Sequence, residues 1–381
     1  MAPPFSICMI SDDFLPAATG VGVHLKLIGP ELARRGHRVA VITSRRKGEP
    51  DVERWEGVTV HRVFTLKAYG FYQALPSQAT VRRIFEQQRP DIVHHHYVGI
   101  MMRRACAVAE RMHLPQVSTY HFSAEVLTQP LPLRPFRGLI RRQMVAYNNR
   151  FDLVIAPSQN LANRIREEGI RTSTRYISNP VVFEETGEVV PAQREPGFTI
   201  LYAGRLGPEK NLPFLLRAFQ EVVQARPDAT LWIAGQGPER KPLERLAMQL
   251  GLTTRVTFLG FLDHTNLAKY YAACDVFVLP SLVETQGMVV MEAMWFGKPV
   301  IVNRCIVSAT ELVEHGANGY IVDTDSPQDL PARLLTLAGD AALRAAMGKT
   351  GYHRAQAYRP EVVVDAIEQA YRDVIARHTH D

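Results

Sequence analysis

A chain of 381 residues with 46% hydrophobic and 22% charged side chains has the balance of a folded protein of about two domains, which excludes disordered, collagen-like and disulfide-scaffold classes. Cys8, Cys106, Cys274 and Cys305 lie far apart with no CxxC pair, so a zinc ribbon or a dithiol redox site is excluded as well. Lys and Arg number 44 against 38 Asp and Glu, a net charge of +6 that points to anionic partners: phosphate-bearing small molecules, an acidic membrane surface or nucleic acid.

The start, MAPPFSICMISDDF, lacks the basic, apolar and cleavage regions of a secretory leader, and no apolar run reaches the ~18–20 residues of a membrane span. A cytoplasmic chain that does not cross a bilayer is expected. Short β-branched runs then alternate with amphipathic stretches. Strands are predicted at Phe5–Ser11, Arg38–Thr43, Val58–Val63, Asp91–His95, Gln116–Tyr120, Leu153–Pro157 and Thr174–Ile177, with helices between most of them. The segment 183–197 carries acids, Gly and Pro with little period and reads as a linker after a first domain, 1–182. The alternation restarts at Phe198–Ala203, Thr230–Ala234, Val256–Leu259, Val276–Leu279, Pro299–Val302 and Gly319–Val322, giving a second domain over 198–359. Strand–helix alternation of this kind makes doubly wound, Rossmann-like parallel sheets. A last amphipathic helix over 360–381 is expected, with Val363, Ile367, Tyr371 and Val374 at helical spacing after Pro360; the sequence does not say which domain it packs on, and a return to the first is compatible with it.

Three segments carry chemistry. After the first strand, Gly20 and Gly22 precede a helical pattern, where backbone can approach an anionic ligand at a helix N-terminus. In LYAGRLGPEKN, Arg205 and Lys210 follow the carboxyl end of a parallel strand, where open α/β sheets bind ligands. An arginine fork and a mobile lysine together suit a diphosphate. In PSLVETQGMVVMEAMWFGKPVI, Glu284 lies in a loop and a helix starts near Gly287, with Glu292 inside it. A phosphate on the Gly287, Met288 and Val289 amides would leave a sugar hydroxyl beyond each end within reach of one carboxylate, and a carboxylate accepts two hydrogen bonds from a vicinal diol.

Two other strings resemble metal sites. His94, His95 and His96 alternate faces in a strand and cannot all ligate one ion. Asp323-Thr324-Asp325 has a metal-binding spelling but follows a strand and precedes Ser-Pro, which reads as a turn with helix capping. No metal and no cofactor is expected. Gly235 and Gly237 in AGQGPER lack the third glycine of a dinucleotide fingerprint and read as a turn beside a nucleoside, together with Gly260 and Phe261.

Glu284 and Glu292 are spaced E-x7-E, and with GRLGPEK, AGQGPER, ACDVFVLPS and EAMWFGKPVI the chain resembles the family 4 retaining glycosyltransferases of GT-B fold, from Ile7 to about Arg372. The resemblance implies two Rossmann-like domains facing a cleft, with acceptor on the first and a nucleotide-sugar donor mostly on the second. By this similarity Arg205 and Lys210 hold the diphosphate, Glu292 the ribose, and Glu284 with the amides after Gln286 the donor sugar. His121 matches the family histidine near the reacting sugar, and Glu311 a later family glutamate. The first loop departs from the family in having Thr19-Gly20-Val21-Gly22 where two adjacent glycines are usual. A transferase for a soluble acceptor, a nucleotide-sugar epimerase and a non-catalytic sensor are the rival readings.

The acceptor is expected to be lipid or lipid-linked, presented at an anionic membrane. Acids are absent from Gly57 to Phe85, where Arg62, Lys67, Arg82 and Arg83 accompany Phe64, Tyr69, Phe71 and Tyr72, and again from Val126 to Phe151. In the second stretch Leu133, Phe136, Ile140 and Tyr147 fall near one helical face, with Arg134, Arg137, Arg141, Arg142 and Arg150 around it, the pattern of an interfacial helix. Nucleic acid is disfavoured, because the cations are not interleaved with stacking aromatics in any known module.

Overall fold

The computed structural model describes residues 3–15, 19–68, 71–96, 99–127, 135–181 and 189–378. The chain divides into two compact units, Met1–Pro180 with Arg359–Asp381, and Val181–Tyr358. The division falls at Pro180, ahead of the segment read as a linker, whose residues 183–188 lie outside the described residues.

The first unit contains β1 (Ser6–Ile10), β2 (Arg38–Ser44), β3 (Val52–Trp55), β4 (Val58–Val63), β5 (Thr65–Ala68), β6 (Phe71–Ala74), β7 (Ile92–His95), β8 (Gln116–Thr119), β9 (Leu153–Ala156) and β10 (Thr174–Tyr176). Eight of these form one sheet in the order β10-β9-β8-β7-β1-β2-β4-β3, parallel except where β3 runs against β4. Strands β1, β7, β8 and β9 are buried throughout, as strands covered on both faces should be. The chain first moves outward from β1 through β2 to β4, then returns to lay β7 on the other side of β1. The carboxyl ends of β1 and β7 therefore form a topological switch point, where diverging loops leave a crevice.

The helix Pro360–His378, which its periodicity predicted as a helix without fixing its place, completes this unit. Val363, Val364, Ile367, Ala370, Tyr371 and Val374 enter the same apolar cluster as Ile7, Leu25 and Ile28. Ion pairs fix its register: Arg35 reaches Glu368 and Asp365, each at 2.6 Å, and Arg175 reaches Asp373 at 2.6 Å.

Strands β3, β5 and β6 are additions to the predicted set. Glu56 and Gly57 both have positive φ, 44° and 82°, so β3 and β4 are joined by the tight turn that suits a twisted hairpin. Glutamate is an unusual residue there, and VERW alternates exposed and half-buried positions without a continuous apolar run. Strands β5 and β6 pair only with each other.

The second unit contains β11 (Thr199–Ala203), β12 (Thr230–Ala234), β13 (Val256–Gly260), β14 (Val276–Leu279), β15 (Val300–Asn303) and β16 (Gly319–Val322). They form a fully parallel sheet in the order β13-β12-β11-β14-β15-β16. Its switch point lies between β11 and β14, so the loops 204–211 and 280–287 open beside each other.

Candidate functional site

Those two loops carry the charged residues singled out from the sequence. After β11 the chain passes Gly204 and Arg205, makes one tight turn at Pro208–Lys210, and enters the helix Leu212–Ala225 through Asn211 in the left-handed conformation. Lys210 Nζ donates to Glu284 Oε2 at 2.5 Å, joining the two loops by an ion pair, and Arg205 Nη2 donates to Glu209 Oε1 at 2.9 Å. Glu209 was not anticipated. It is nearly buried, its carbonyl accepts the Leu282 N–H at 2.8 Å, and its side chain holds Arg205 in place. A glutamate one residue before a conspicuous lysine looks like ordinary surface charge, and only the fold shows which loop it ties down.

Gly287 takes φ 81°, and a Cβ there would stand 3.3 Å from Leu279 Cδ2, so glycine lets the chain turn into the helix Met288–Trp295. Met288 and Val289 form the first turn of that helix. Glu292 follows one turn later and is buried; burial raises its carboxyl from the ordinary 4.5 to about 7, against which a hydrogen bond from Tyr271 Oη at 2.8 Å works in the opposite direction. Tyr271, on the helix His264–Ala273, is the second group that sequence reasoning missed. Arg205, Lys210, Glu284, Gly287, Met288, Val289 and Glu292 thus belong to two adjacent loops and one helix start.

Gly235 and Gly237 have a different reason to be glycine. Gly235 N–H donates to Gly260 O at 2.7 Å, and a Cβ on Gly235 would lie 1.8 Å from Gly204 O. Gly237 packs against the Leu206 backbone in the same way. Close passage of neighbouring loops requires both residues, whether or not a nucleoside lies beside them. Phe261, just beyond, is 63% exposed. A cavity of about 420 Å³ lined by Gln236, Gly237, Pro238, Arg240 and Lys241 borders this turn.

The remaining predicted residues belong to the first unit. Gly20 and Gly22 lie inside the first turn of the helix Gly20–Arg34 rather than before it, and the Gly22 amide is turned toward Thr19 Oγ1, the N-cap. His121 follows β8 and is partly buried, with Nε2 3.2 Å from His96 Nδ1. Burial and the neighbouring His24 and His94 hold the His121 imidazole well below the usual histidine range.

The triple histidine splits by face, as strand alternation requires. His95 turns to Gln116 at 3.0 Å and stacks on Phe151, whereas His94 and His96 share the other side, with His94 spent on Tyr371 Oη at 2.6 Å and Thr119 Oγ1 at 2.8 Å. Asp323 and Asp325 form a turn closed by Arg304, at 2.9 and 3.3 Å. The helix cap expected from them is instead Gln328.

The interfacial stripe needs correction. Tyr147 packs with Met102, Cys106 and Phe151 and is covered by Arg103 and Arg150, so it is not a surface residue of an apolar face. The exposed apolar residues of the segment are Phe136 at 53% and Leu139 at 54%, with Ile140 half-buried beside them and Arg137, Arg141 and Arg142 exposed. Arg134, Leu133 and Tyr69 lie outside the described residues. Arg62 is also removed from the surface set: it is buried between Glu49 and Glu53.

Comparison with known proteins accounts for this arrangement. Residues 18–185 match the model "Glycosyltransferase Family 4", and residues 185–354 match "Glycosyl transferases group 1". The alpha-monoglucosyldiacylglycerol synthase of Acholeplasma laidlawii is 27% identical over 399 residues, covering 98% of each chain. Among solved structures, the sucrose-phosphate synthase of Thermosynechococcus elongatus superposes with a TM-score of 0.82 at 23% identity, covering 97% of this chain and 99% of that one. Anabaena HepE in complex with UDP-glucose superposes at 0.76 and 22% identity, covering 97% of this chain and all of the other. These likenesses identify the fold as GT-B.

Proposed function

Because the chain belongs to the family 4 glycosyltransferases, we propose that it moves a hexose from a uridine diphosphate sugar to the hydroxyl of a lipid or lipid-linked acceptor, with retention of the anomeric configuration. The observation that carries this reading is the pairing of Lys210 with Glu284 across the switch point, with Arg205 on the same loop as Lys210 and Glu292 buried in the helix behind. A diphosphate arriving there competes with the two carboxylates for Lys210 and Arg205, which then stabilise the charge growing on the leaving group. Glu284, released from the lysine, accepts from the donor-sugar hydroxyls, and Glu292 from the ribose diol. His121 lies on the other unit and is assigned to the reacting sugar. No carboxylate is assigned as nucleophile; the leaving diphosphate takes the acceptor proton in a front-face displacement, and the two cations supply the positive charge without a metal. Uridine is favoured by fold-level likeness to the HepE complex, and a lipid acceptor by the full-length relative that makes a glucosyl lipid and by the exposed Phe136, Leu139 and arginines.

Turnover of UDP-sugars with diacylglycerol or a lipid-linked acceptor, in EDTA, tests the reading. Arg205→Ala and Lys210→Ala are expected to lower kcat at least tenfold, since a charge-assisted hydrogen bond is worth about 1.5–3 kcal/mol. Unchanged kcat/KM in both variants, with normal circular dichroism, would remove the diphosphate assignment. Transfer restored only by Mn²⁺ or Mg²⁺ would remove the metal-free mechanism, and full activity on water-soluble acceptors alone would favour a soluble acceptor.

A further inference from the structure

A second constellation occupies the switch point of the first unit. His24 comes from the second turn of the helix after β1, His96 from the residue following β7, and His121 from the second residue after β8. His96 N–H still bonds to Ile10 O at 2.9 Å, so its backbone is fixed at the junction of β1 and β7. One potential ligand atom of each of the three rings lies within 4.8 Å of those of the other two. The ring centroids are 4.9 Å apart for His24 and His121, 5.3 Å for His24 and His96, and 5.5 Å for His96 and His121.

The hydrogen-bond inventory points to a ligand. His96 Nε2 and both His24 ring nitrogens are buried with no hydrogen bond of ordinary geometry, Asn179 being the polar side chain that faces the His24 ring, and His24 is only 2% exposed. Buried polar atoms without partners are rare and costly. The neighbouring His94 shows the ordinary alternative, with both of its nitrogens satisfied by side chains.

We propose that His24, His96 and His121 form a three-imidazole site for a borderline first-row divalent cation of the Zn²⁺ or Co²⁺ type, and that filling it withdraws His121 from sugar transfer. Zinc–nitrogen bonds of about 2.0–2.1 Å in a tetrahedral site place ligand nitrogens roughly 3.3–3.4 Å apart, so rotation of side chains already converging within 4.8 Å closes the set. Three nitrogens and no carboxylate select against Mg²⁺ and Ca²⁺, which take oxygen ligands. His24 and His96 each supply a nitrogen that now makes no hydrogen bond of ordinary geometry, and water takes the open fourth position. His121, the most accessible of the three, marks the side of entry. The sequence hid this site because its ligands are 72 and 25 residues apart and only one of them belongs to the conspicuous triple histidine. The inhibitory half rests on the role proposed for His121; the binding half does not.

Metal binding is read without substrates, by titrating EDTA-stripped full-length protein with Co²⁺, following its visible ligand-field absorption and then its displacement by Zn²⁺. One Co²⁺ per chain is expected, with affinity reduced at least about tenfold in His24→Gln and in His96→Gln at unchanged circular dichroism. Equal Co²⁺ binding in wild type and both variants would overturn the site; if one variant fails to fold, the other carries the comparison. Stoichiometric Zn²⁺ is expected to suppress transfer at least tenfold in wild type and less than twofold in His24→Gln, each measured relative to the same protein without Zn²⁺. Inhibition that persists in His24→Gln would place the inhibiting ion elsewhere, such as at exposed Cys305, and overturn the inhibitory half. Co²⁺ bound at the three histidines with transfer undiminished would keep the site and overturn the role of His121.

Discussion

Glu292 shows what a buried carboxylate costs and what it can do. Its raised pKa means that between about 4.5 and 7 the native chain holds a proton that the unfolded chain has lost. Stability therefore falls as pH rises through that window, and above it the protein carries a buried charge supported by the Tyr271 hydroxyl. Glu292→Gln removes the titration: the ligand-free variant should match wild type near pH 5 and melt at a higher temperature near pH 8. The ligand balance runs the other way. An ionised carboxylate accepts from both ribose hydroxyls, so UDP affinity should rise between pH 6 and pH 8 in wild type and stay flat in Glu292→Gln, which should bind about ten to a hundred times more weakly. Calorimetry across that range decides it; equal affinity in the two proteins at pH 8 would remove Glu292 from the nucleotide site. The position of Glu292 was legible because a glutamate between Met291 and Ala293 in an apolar helix is conspicuous. Its partner was not. Tyr271 is 21 residues away, and nothing in the residues around it distinguishes it from a core tyrosine.

Among elements, buried strands with four consecutive apolar residues bounded by turn signals were the easiest to read, and β12 and β14 run as expected. The hairpins were hidden. Strand β3 lies at a sheet edge and needs no continuous apolar run, and β5 and β6 owe their conformation to each other rather than to either segment alone. The helix Pro360–His378 was legible as a helix from its spacing, whereas its partner is set by apolar contacts and ion pairs more than 300 residues away in sequence. Ile367 is 1% exposed within the first unit's core. Ile367→Ala should destabilise the protein by about 2–5 kcal/mol, the usual cost of a cavity of that size. If the nucleotide site is built wholly from the unit Val181–Tyr358, UDP affinity in the folded variant should stay within about twofold of wild type. Denaturant titration and calorimetry on one preparation separate the two effects, and a large loss of UDP affinity would show that the first unit contributes to the nucleotide site.

At the scale of the whole molecule, the excess of +6 matters less than its distribution. Two arginines that looked available are already paired: Arg62, buried between two glutamates, and Arg150 on Glu110. What stays exposed on the segment 136–142 is Arg137, Arg141 and Arg142 beside Phe136 and Leu139. A groove of about 1100 Å³ continues this surface, with Arg141, Arg142, Arg164 and Arg171 on its walls. Among the described residues no helix is long and apolar enough to cross a membrane, so attachment by this surface would have to be interfacial. Three cations at about 1 kcal/mol each raise binding to an anionic bilayer roughly a hundredfold, and two partly inserted apolar side chains add to it. The protein should float with vesicles rich in anionic lipid at low salt and be released near 1 M salt, where the screening length falls to about 3 Å. Phe136→Ser with Leu139→Ser should weaken flotation at every salt concentration, whereas Arg137→Gln with Arg141→Gln should weaken it mainly at low salt. Because neither pair belongs to the donor site, turnover on a detergent-dispersed acceptor should survive in both. If the wild-type protein stays at the bottom of the gradient at low salt, the acceptor is not reached through this face.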